Sequence, residues 1–416
     1  MQNSKTISIN GFTLVYIPDK QILHATFNGR PLYELLNFPE IRINKYNPLS
    51  STVKHHGNVI ELAKNIFETI NMLNLRGEQC LAAMFASHFY EYFGRLDENF
   101  KETGRHSLSI ALWLSVLDMV KSWEENHPRT FTHIGTPLYF LAEAYLLVQN
   151  NDPAFIYLIK SILDDIELSE HCPNLQYPEK EPAYLTACLV NDPNNHMFEF
   201  IVKPLRDSLD RAIGEYNNLF GNESYLKSGI ADFESKFLQK RNTKILKIEP
   251  IKFLFVLELL QLQRLRTIIY QSRIETSFSQ SLRLNRLFSL TLVIDKLLHS
   301  RYSPKKRKRG YDANMGDCVT RYANSHGIPQ KKIEMLNMNS RDPDNVLKEL
   351  LQKKNQKQLR ALKREIYPIL ISLKIRNTGA HKIHAVKVLS SSFEEIYQSL
   401  LEAVFILAGQ MPRSKS

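Results

Sequence analysis

Apolar residues recur at i, i+3, i+4 and i+7 over long stretches of this chain, and that period is typical of an amphipathic α-helix. The pattern first appears after Pro48, in Asn58–Asn74, Glu78–Phe93 and Ser107–Trp123. It returns in Pro250–Tyr270, in Phe278–Ser300 and at the C-terminal end in Ser392–Ala408. A polar helix is also expected from about Pro343 to Tyr367, interrupted by Pro368. Glycines separate the first three stretches, as expected between helices. The sequence therefore predicts a mainly α-helical protein.

Two apolar stretches in the first half form a pair. Pro137–Val148 and Pro153–Ile166 are joined by a short polar linker, and together they resemble a tetratricopeptide-type helical hairpin. A second, looser unit of this kind is expected over Ala183–Ile213. At least three repeats are needed for stable stacking, so two units do not predict a repeat array. We therefore expect a helical region from residue 36 to residue 240 and leave open whether it is repeat-like.

The start of the chain has a different pattern. Phe12–Ile17 and Ile22–Phe27 are rich in β-branched and aromatic residues and are separated by a turn sequence, which predicts a β-hairpin. A two-stranded hairpin is only marginally stable alone, so it must pack on another element. The expected organisation is a small β unit over residues 1–35, the helical region over 36–240, and a basic helical domain over 245–416.

Several broad protein classes are excluded by composition. The longest apolar runs, Leu108–Val120 and Ile251–Leu262, are too short to cross a bilayer and each contains an acidic residue, so no membrane association is expected. The opening residues are polar and do not resemble a secretory signal. The four cysteines lie far apart without a CxxC pair, which argues against a disulfide framework or a zinc ribbon. We expect a cytoplasmic protein.

Charge is distributed unevenly along the chain. Residues 1–240 contain 21 basic and 29 acidic residues, whereas residues 241–416 contain 33 basic and 14 acidic ones. Such a basic C-terminal half predicts contact with a polyanion, and we favour nucleic acid. Tyr311 and Tyr322 are candidates for stacking on unpaired bases. The strongest basic run, which predicts a phosphate-contacting loop or alternatively a nuclear localisation signal, consists of Lys305, Lys306, Arg307, Lys308 and Arg309.

One short motif carries candidate chemistry. Arg376, Asn377 and His381 form an R-N-x3-H pattern after an apolar run, Ile369–Ile375, and a helix is expected to follow the motif. Chance supplies roughly 0.7 R-x4-H pairs in a chain of this composition, but only roughly 0.05 when Asn must follow Arg. The chain has a second R-x4-H, from Arg321, without that Asn.

The residue types of the motif suit RNA cleavage without a metal. A histidine transfers protons near neutral pH, so His381 is a candidate general acid or base. An arginine binds a phosphate through two N–H groups and stabilises developing charge, which is the expected role of Arg376. Asn377 would orient the imidazole or a phosphate oxygen.

The motif and the helices before it resemble the HEPN superfamily of ribonucleases. Phe278–Leu298 is similar to the first HEPN helix of CRISPR-associated ancillary ribonucleases, and the resemblance covers roughly residues 247–410. It implies a homodimer whose two motifs face each other, a catalytic set of Arg376, Asn377 and His381, and products with 2′,3′-cyclic phosphate and 5′-OH ends. It also implies antiviral defence of the CRISPR-associated or abortive-infection type. Lys382, next to the motif, is a further candidate RNA contact.

The front of the chain departs from those CRISPR enzymes, which begin with a Rossmann-like sensor. Residues 40–240 contain helical patterns and few glycines, so a cyclic oligoadenylate sensor is not expected there. This acidic helical region is instead a candidate site for another activating ligand, for a protein partner, or for the basic half of the chain itself, which would give autoinhibition.

The sequence does not contain the residue patterns of a metal site or of other common enzyme classes. His384 lies three residues after His381, but no acidic residue or cysteine is close enough in sequence to complete a metal site, so no metal is expected. Nucleotide-binding, zinc-protease and hydrolase motifs are absent, and no cofactor is expected. The alternative is a non-catalytic helical adaptor that binds RNA or DNA through its basic half. In that case the Asn377–Gly379 segment would only end a helix.

Overall fold

The computed structural model describes residues 4–17, 22–32, 52–53, 57–127, 130–172, 201–238, 249–272, 277–303, 314–329, 331, 343–381 and 392–410. The chain divides into two compact units, residues 1–200 and 201–416. This division lies earlier in the chain than the boundary at residues 240–245 expected from the sequence.

The first unit begins with a four-stranded antiparallel sheet in the order β1-β2-β3-β4. The expected hairpin is present, with Phe12 opposite Phe27 and Ile17 opposite Ile22. An additional strand pairs with it through the tight turn at Asn10 and Gly11, whose positive φ angles suit these two residues. A separate two-residue pair follows the sheet. The six strands are β1 (Lys5–Ile9), β2 (Phe12–Ile17), β3 (Ile22–Phe27), β4 (Arg30–Pro31), β5 (Thr52–Val53) and β6 (Gly57–Asn58).

Five helices complete the described part of the first unit. They are α1 (Val59–Leu75), α2 (Gln79–Glu102), α3 (His106–Asn126), α4 (Gly135–Leu147) and α5 (Asn151–His171). The sheet packs on α2, where the rings of Phe12 and Phe85 meet edge to face with centroids 5.1 Å apart. Sheet and helices therefore share one core, in which Phe12, Phe85 and Trp113 are fully buried. The expected helical hairpin is α4–α5, while most of its expected second copy lies outside the described residues.

The second unit is helical throughout its described part. Its helices are α6 (Lys203–Phe220), α7 (Ile230–Phe233), α8 (Glu249–Ser272), α9 (Ser277–Tyr302), α10 (Met315–Ser325), α11 (Pro343–Leu351), α12 (Lys353–Leu362), α13 (Ile366–His381) and α14 (Phe393–Gly409). Helix α14 contacts α6, α9 and α13. Its residues Val404, Phe405 and Ile406 are consecutive and fully buried, so α14 is enclosed on all sides and forms the centre of this unit.

The region after Pro343 differs from its predicted form. The sequence suggested one polar helix from Pro343 to Tyr367 that Pro368 interrupts, but the chain forms α11, α12 and the start of α13 there. Gln352 and Lys363 are extended and separate these three helices. Pro368 lies in the first turn of α13, where the missing N–H costs no helical hydrogen bond.

The described helices and the N-terminal sheet confirm the predicted fold class, a mainly α protein with a small N-terminal β unit.

Among the described residues, no helix is both long enough and apolar enough to cross a membrane.

Candidate functional site at the end of helix α13

Helix α13 carries the R-N-x3-H motif in its last turns. The sequence suggested that a helix follows the motif, whereas all of Arg376–His381 belongs to α13 itself. The preceding turns bury Ile369, Leu370 and Ile371 completely, which fixes the helix in the core of the unit. These apolar residues anchor the helix, so its backbone sets the positions of the motif residues.

Arg376 is held against helix α9. Its Nε lies 3.7 Å from Asp295 Oδ2, and its guanidinium carbon lies 5.3 Å from the ring centre of Phe288. The ion-pair distance exceeds that of a hydrogen bond, and the Nε has no hydrogen-bond partner among the described residues. The Arg376 side chain is 31% exposed. Ring stacking and charge therefore orient the guanidinium while leaving part of it open to solvent.

A histidine extends this cluster along α9. His299 Nδ1 lies 3.0 Å from Asp295 Oδ1, one helical turn away, and 2.9 Å from the Asp295 carbonyl oxygen. Helix α10 packs on the same helix, and burial together with the Asp295 charge raises the pKa of the Cys318 thiol to about 11. Asp295 thus faces two basic side chains and is the anionic centre of the cluster.

Asn377 and His381 occupy neighbouring helical positions. They are four residues apart, so their positions lie on one face of α13, and Asn377 is exposed. Arg376 and His381 are five residues apart, which displaces their positions by about 140° around the helix axis. The side chain of His381 and the residues Lys305–Arg309 and Lys382 lie outside the described part of the structure. The structure thus places three predicted catalytic residues on one helix and leaves the predicted RNA-binding residues undescribed.

The second R-x4-H pair has a packing role. His326 lies at the end of α10, where its Nδ1 is 2.8 Å from the Tyr322 carbonyl oxygen and its ring stacks on Tyr322 with centroids 4.3 Å apart. Arg321 donates to the Ser303 carbonyl oxygen at 3.2 Å. Tyr322 itself is fully buried and donates to Glu365 Oε2 at 2.5 Å, so the expectation that it stacks on RNA bases is wrong. This pair has the same spacing as the motif but serves to end a helix.

A cavity of 680 Å³ lies in the same unit, among α6, α8, α12, α13 and α14. Neither Arg376 nor Asn377 lines it. Two of its lining arginines face glutamates at close range: Arg360 binds Glu402 through both terminal nitrogens, and Arg266 lies 3.0 Å from Glu394. These two guanidinium groups already bind carboxylates and are therefore not open to another anion.

Sequence reasoning missed the partners of Arg376. Asp295 and Phe288 lie some 80 residues before it in the chain, on a helix whose apolar pattern was clear but whose contacts were not. The one local signal was the Asp295–His299 spacing, which places a carboxylate and an imidazole one turn apart on α9.

Comparisons with known proteins add no assignment, since no family model, curated protein or solved structure matches this chain.

Proposed function

We propose that this protein is a metal-independent endoribonuclease of the HEPN type that cleaves single-stranded RNA. Arg376 binds the scissile phosphate and His381 transfers the proton, while Asn377 orients one of them. The ribose 2′-OH attacks the phosphorus and the 5′-oxygen leaves, so the products carry 2′,3′-cyclic phosphate and 5′-OH ends. Antiviral defence of the CRISPR-associated or abortive-infection type is the role that the resemblance offers for such an enzyme.

The observation that carries this proposal is that Arg376 is oriented by its neighbours while part of its guanidinium group stays open. Arg360, a structural arginine of the same unit, makes hydrogen bonds of 2.6 and 2.9 Å to one carboxylate. Arg376 is oriented by Phe288 and Asp295, yet its ion pair is long and its side chain is partly exposed. A guanidinium that is positioned but not saturated suits the binding of a phosphate ligand.

The helix geometry favours a site shared between two chains. One His381 per chain must otherwise serve as both acid and base, and its position is displaced by about 140° from that of Arg376. In a homodimer, the arginine of one chain and the histidine of the other can act on the same phosphate. An activating ligand or protein partner on the helical region before residue 240 would be the switch that controls this dimer.

Cleavage of labelled single-stranded RNA in excess EDTA tests the proposal. We expect wild-type protein to produce cyclic-phosphate ends, and Arg376→Ala and His381→Ala to lose cleavage by at least about 100-fold while retaining RNA affinity. Arg321→Ala and His326→Ala are matched controls because they remove an R-x4-H pair of the same spacing, and they should cleave normally. RNA that is bound but left intact by wild-type protein would contradict the proposal.

Mixing the two inactive variants tests the shared site. A heterodimer of Arg376→Ala and His381→Ala subunits retains one arginine and one histidine on different chains. If these residues act across the dimer, the mixture regains part of the wild-type rate. An inactive mixture of subunits that have demonstrably exchanged would rule out action across the dimer.

The alternative function is a non-catalytic adaptor that binds RNA or DNA through its basic half. The contact of Arg376 with Asp295 and Phe288 is the observation that favours the adaptor, because these contacts alone would serve to pack α13 on α9. If the protein is an adaptor, Arg376→Ala lowers the melting temperature and the wild-type protein cleaves no RNA. Its affinity for nucleic acid then falls when the basic run at Lys305–Arg309 is neutralised.

A further inference from the structure

Three metal-ligating side chains meet in the interior of the first unit. His133 immediately precedes α4, and Asp164 and Asp165 lie side by side on α5. His133 Nε2 is 2.8 Å from Asp165 Oδ1 and 3.2 Å from Asp164 Oδ2. The side chain of His133 is 3% exposed, that of Asp164 is 10% exposed and that of Asp165 is 2% exposed. One nitrogen and two carboxylate oxygens thus converge in the part of this unit that is shielded from water.

The spacing of these atoms suits a first-row divalent ion. Imidazole nitrogens and carboxylate oxygens bind Zn²⁺ at about 2.0–2.2 Å, which places neighbouring atoms of a tetrahedral ligand set about 3.3–3.6 Å apart. The distance from His133 Nε2 to Asp164 Oδ2 is 3.2 Å and that to Asp165 Oδ1 is 2.8 Å, so the first nearly matches this spacing and the second pair would separate by about 0.5 Å around an ion. The candidate ligand atoms of the three residues all lie within 4.8 Å of one another. A ligand set of one nitrogen and two oxygens fits Zn²⁺ better than Mg²⁺ or Ca²⁺, which prefer oxygen alone.

The backbone before α4 also holds one of the carboxylates in place. Asp164 Oδ2 accepts a hydrogen bond of 2.8 Å from the Ile134 N–H, so this oxygen is fixed beside the imidazole of His133. A divalent ion would neutralise both carboxylates without requiring a bound proton.

Tyr90 provides an independent observation at this place. It lies on α2, is fully buried, and its hydroxyl has no hydrogen-bond partner among the described residues. Burial and the charges of Asp164 and Glu124 together raise the pKa of Tyr90, so its hydroxyl is within electrostatic reach of the cluster. Buried hydroxyls normally make a hydrogen bond, and a ligand-bound water at the cluster is one partner that could supply it.

The backbone also approaches the cluster closely. A Cβ at Gly135 would lie 2.7 Å from both His133 Nε2 and Asp165 Oδ1, closer than side chains tolerate. Glycine at this position therefore lets the first residue of α4 pass directly beside the three ligands. The Ser161 hydroxyl donates to the Gly135 carbonyl oxygen at 2.8 Å and fixes this approach from α5.

We propose that His133, Asp164 and Asp165 form a structural site for a divalent transition-metal ion, with Zn²⁺ as the expected ion. The ion would join the segment before α4 to the middle of α5. This site was not expected from the sequence, which predicted no metal. It is independent of the proposed ribonuclease, because none of its residues belongs to the motif in the second unit.

Metal binding by the full-length, tag-free protein tests the proposal. We expect about one Zn²⁺ per chain by elemental analysis after purification without chelator. After removal of the ion, Co²⁺ should bind with visible absorption bands that Zn²⁺ displaces, and Zn²⁺ should raise the melting temperature of the first unit. No bound metal, no Co²⁺ bands and no Zn²⁺-dependent shift in the wild-type protein would overturn the proposal and leave a protonated ion pair.

Variants assign the ion to this cluster. Asp165→Asn keeps the size of the side chain and should weaken Co²⁺ binding at least 10-fold. Asp152→Asn is the matched control, because it makes the same change at an exposed position of α5, and it should bind as the wild type does. Circular dichroism of each variant shows whether it is folded, and equal Co²⁺ affinity in folded Asp165→Asn would overturn the assignment.

Discussion

The ion pair between Arg360 and Glu402 permits a quantitative test of how the second unit is held together. Arg360 on α12 binds Glu402 on α14 through two hydrogen bonds, of 2.6 and 2.9 Å, and its guanidinium carbon lies 4.7 Å from the ring centre of Tyr367. The Glu402 side chain is 3% exposed and that of Arg360 is 20% exposed. Burial raises the pKa of Glu402, although Arg360 opposes that rise.

Arg360→Met should therefore leave a buried carboxylate without its partner. Breaking a buried ion pair costs about 3–5 kcal/mol of unfolding free energy, and the partial exposure of Arg360 places this one near the lower end. The lost stacking on Tyr367 adds about 0.5–1 kcal/mol, for a total of about 3–4 kcal/mol near neutral pH. The cost should shrink towards pH 5, since protonation of Glu402 removes the uncompensated charge. The double variant Arg360→Met/Glu402→Met should recover to within about 1 kcal/mol of wild type.

Urea unfolding followed by two signals measures these differences. Both tryptophans, Trp113 and Trp123, lie in the first unit, so their fluorescence reports on that unit, whereas far-UV circular dichroism reports on both. The change must appear in the dichroism transition and leave the fluorescence transition unchanged. A cost below about 1 kcal/mol for Arg360→Met, or a double variant as unstable as the single one, would refute the view that the pair is a desolvated charge pair.

Three further predictions concern the first unit. Gly135→Ala places a methyl group 2.7 Å from Asp165 Oδ1, so it should cost about 1–3 kcal/mol in urea unfolding, and an unchanged midpoint would contradict this. Because burial raises the pKa of Asp164 from 3.8 to about 7, the folded metal-free protein binds the proton more tightly than the unfolded chain. Its stability should therefore fall as the pH rises through that interval, and Asp164→Asn should remove this slope in thermal scans. The Cys80 and Cys172 thiols share a hydrogen bond that lowers the pKa of Cys80. Diamide should therefore oxidise the two thiols to a disulfide, and in doing so it accepts their two electrons and two protons. Non-reducing peptide mapping detects that disulfide, and its absence would show that the sulfurs cannot reach bonding distance.

Local patterns were sufficient to predict most secondary structure. The stretch Phe278–Ser300 predicted α9 to within two residues at each end, and the strands Phe12–Ile17 and Ile22–Phe27 form as expected. The errors lie where a polar stretch offers no apolar period. On α12, Leu359 is the only buried residue, so the sequence could not show that this helix is separate from α11.

Contacts between distant residues could not be predicted in the same way. Cys80 and Cys172 lie far apart in sequence without a CxxC pair, which argued against a disulfide, yet α2 and α5 bring their thiols into contact. His133 lies about 30 residues before Asp164 and Asp165, and only the α4–α5 hairpin makes them neighbours. A helical pattern specifies which face of each helix is buried, but not which polar residues the packing of two helices brings together.

The two R-x4-H pairs show why this limit matters for function. Both have the same spacing, but His326 is stacked and hydrogen-bonded within its own helix end, whereas Arg376 is oriented by residues of a different helix. Spacing alone therefore does not distinguish a helix terminus from a candidate active site. The distinguishing property is whether an arginine is positioned without being saturated, because only then does its charge remain available to a phosphate. By that criterion Arg376, oriented by Asp295, is a candidate phosphate-binding residue among the described residues of this unit.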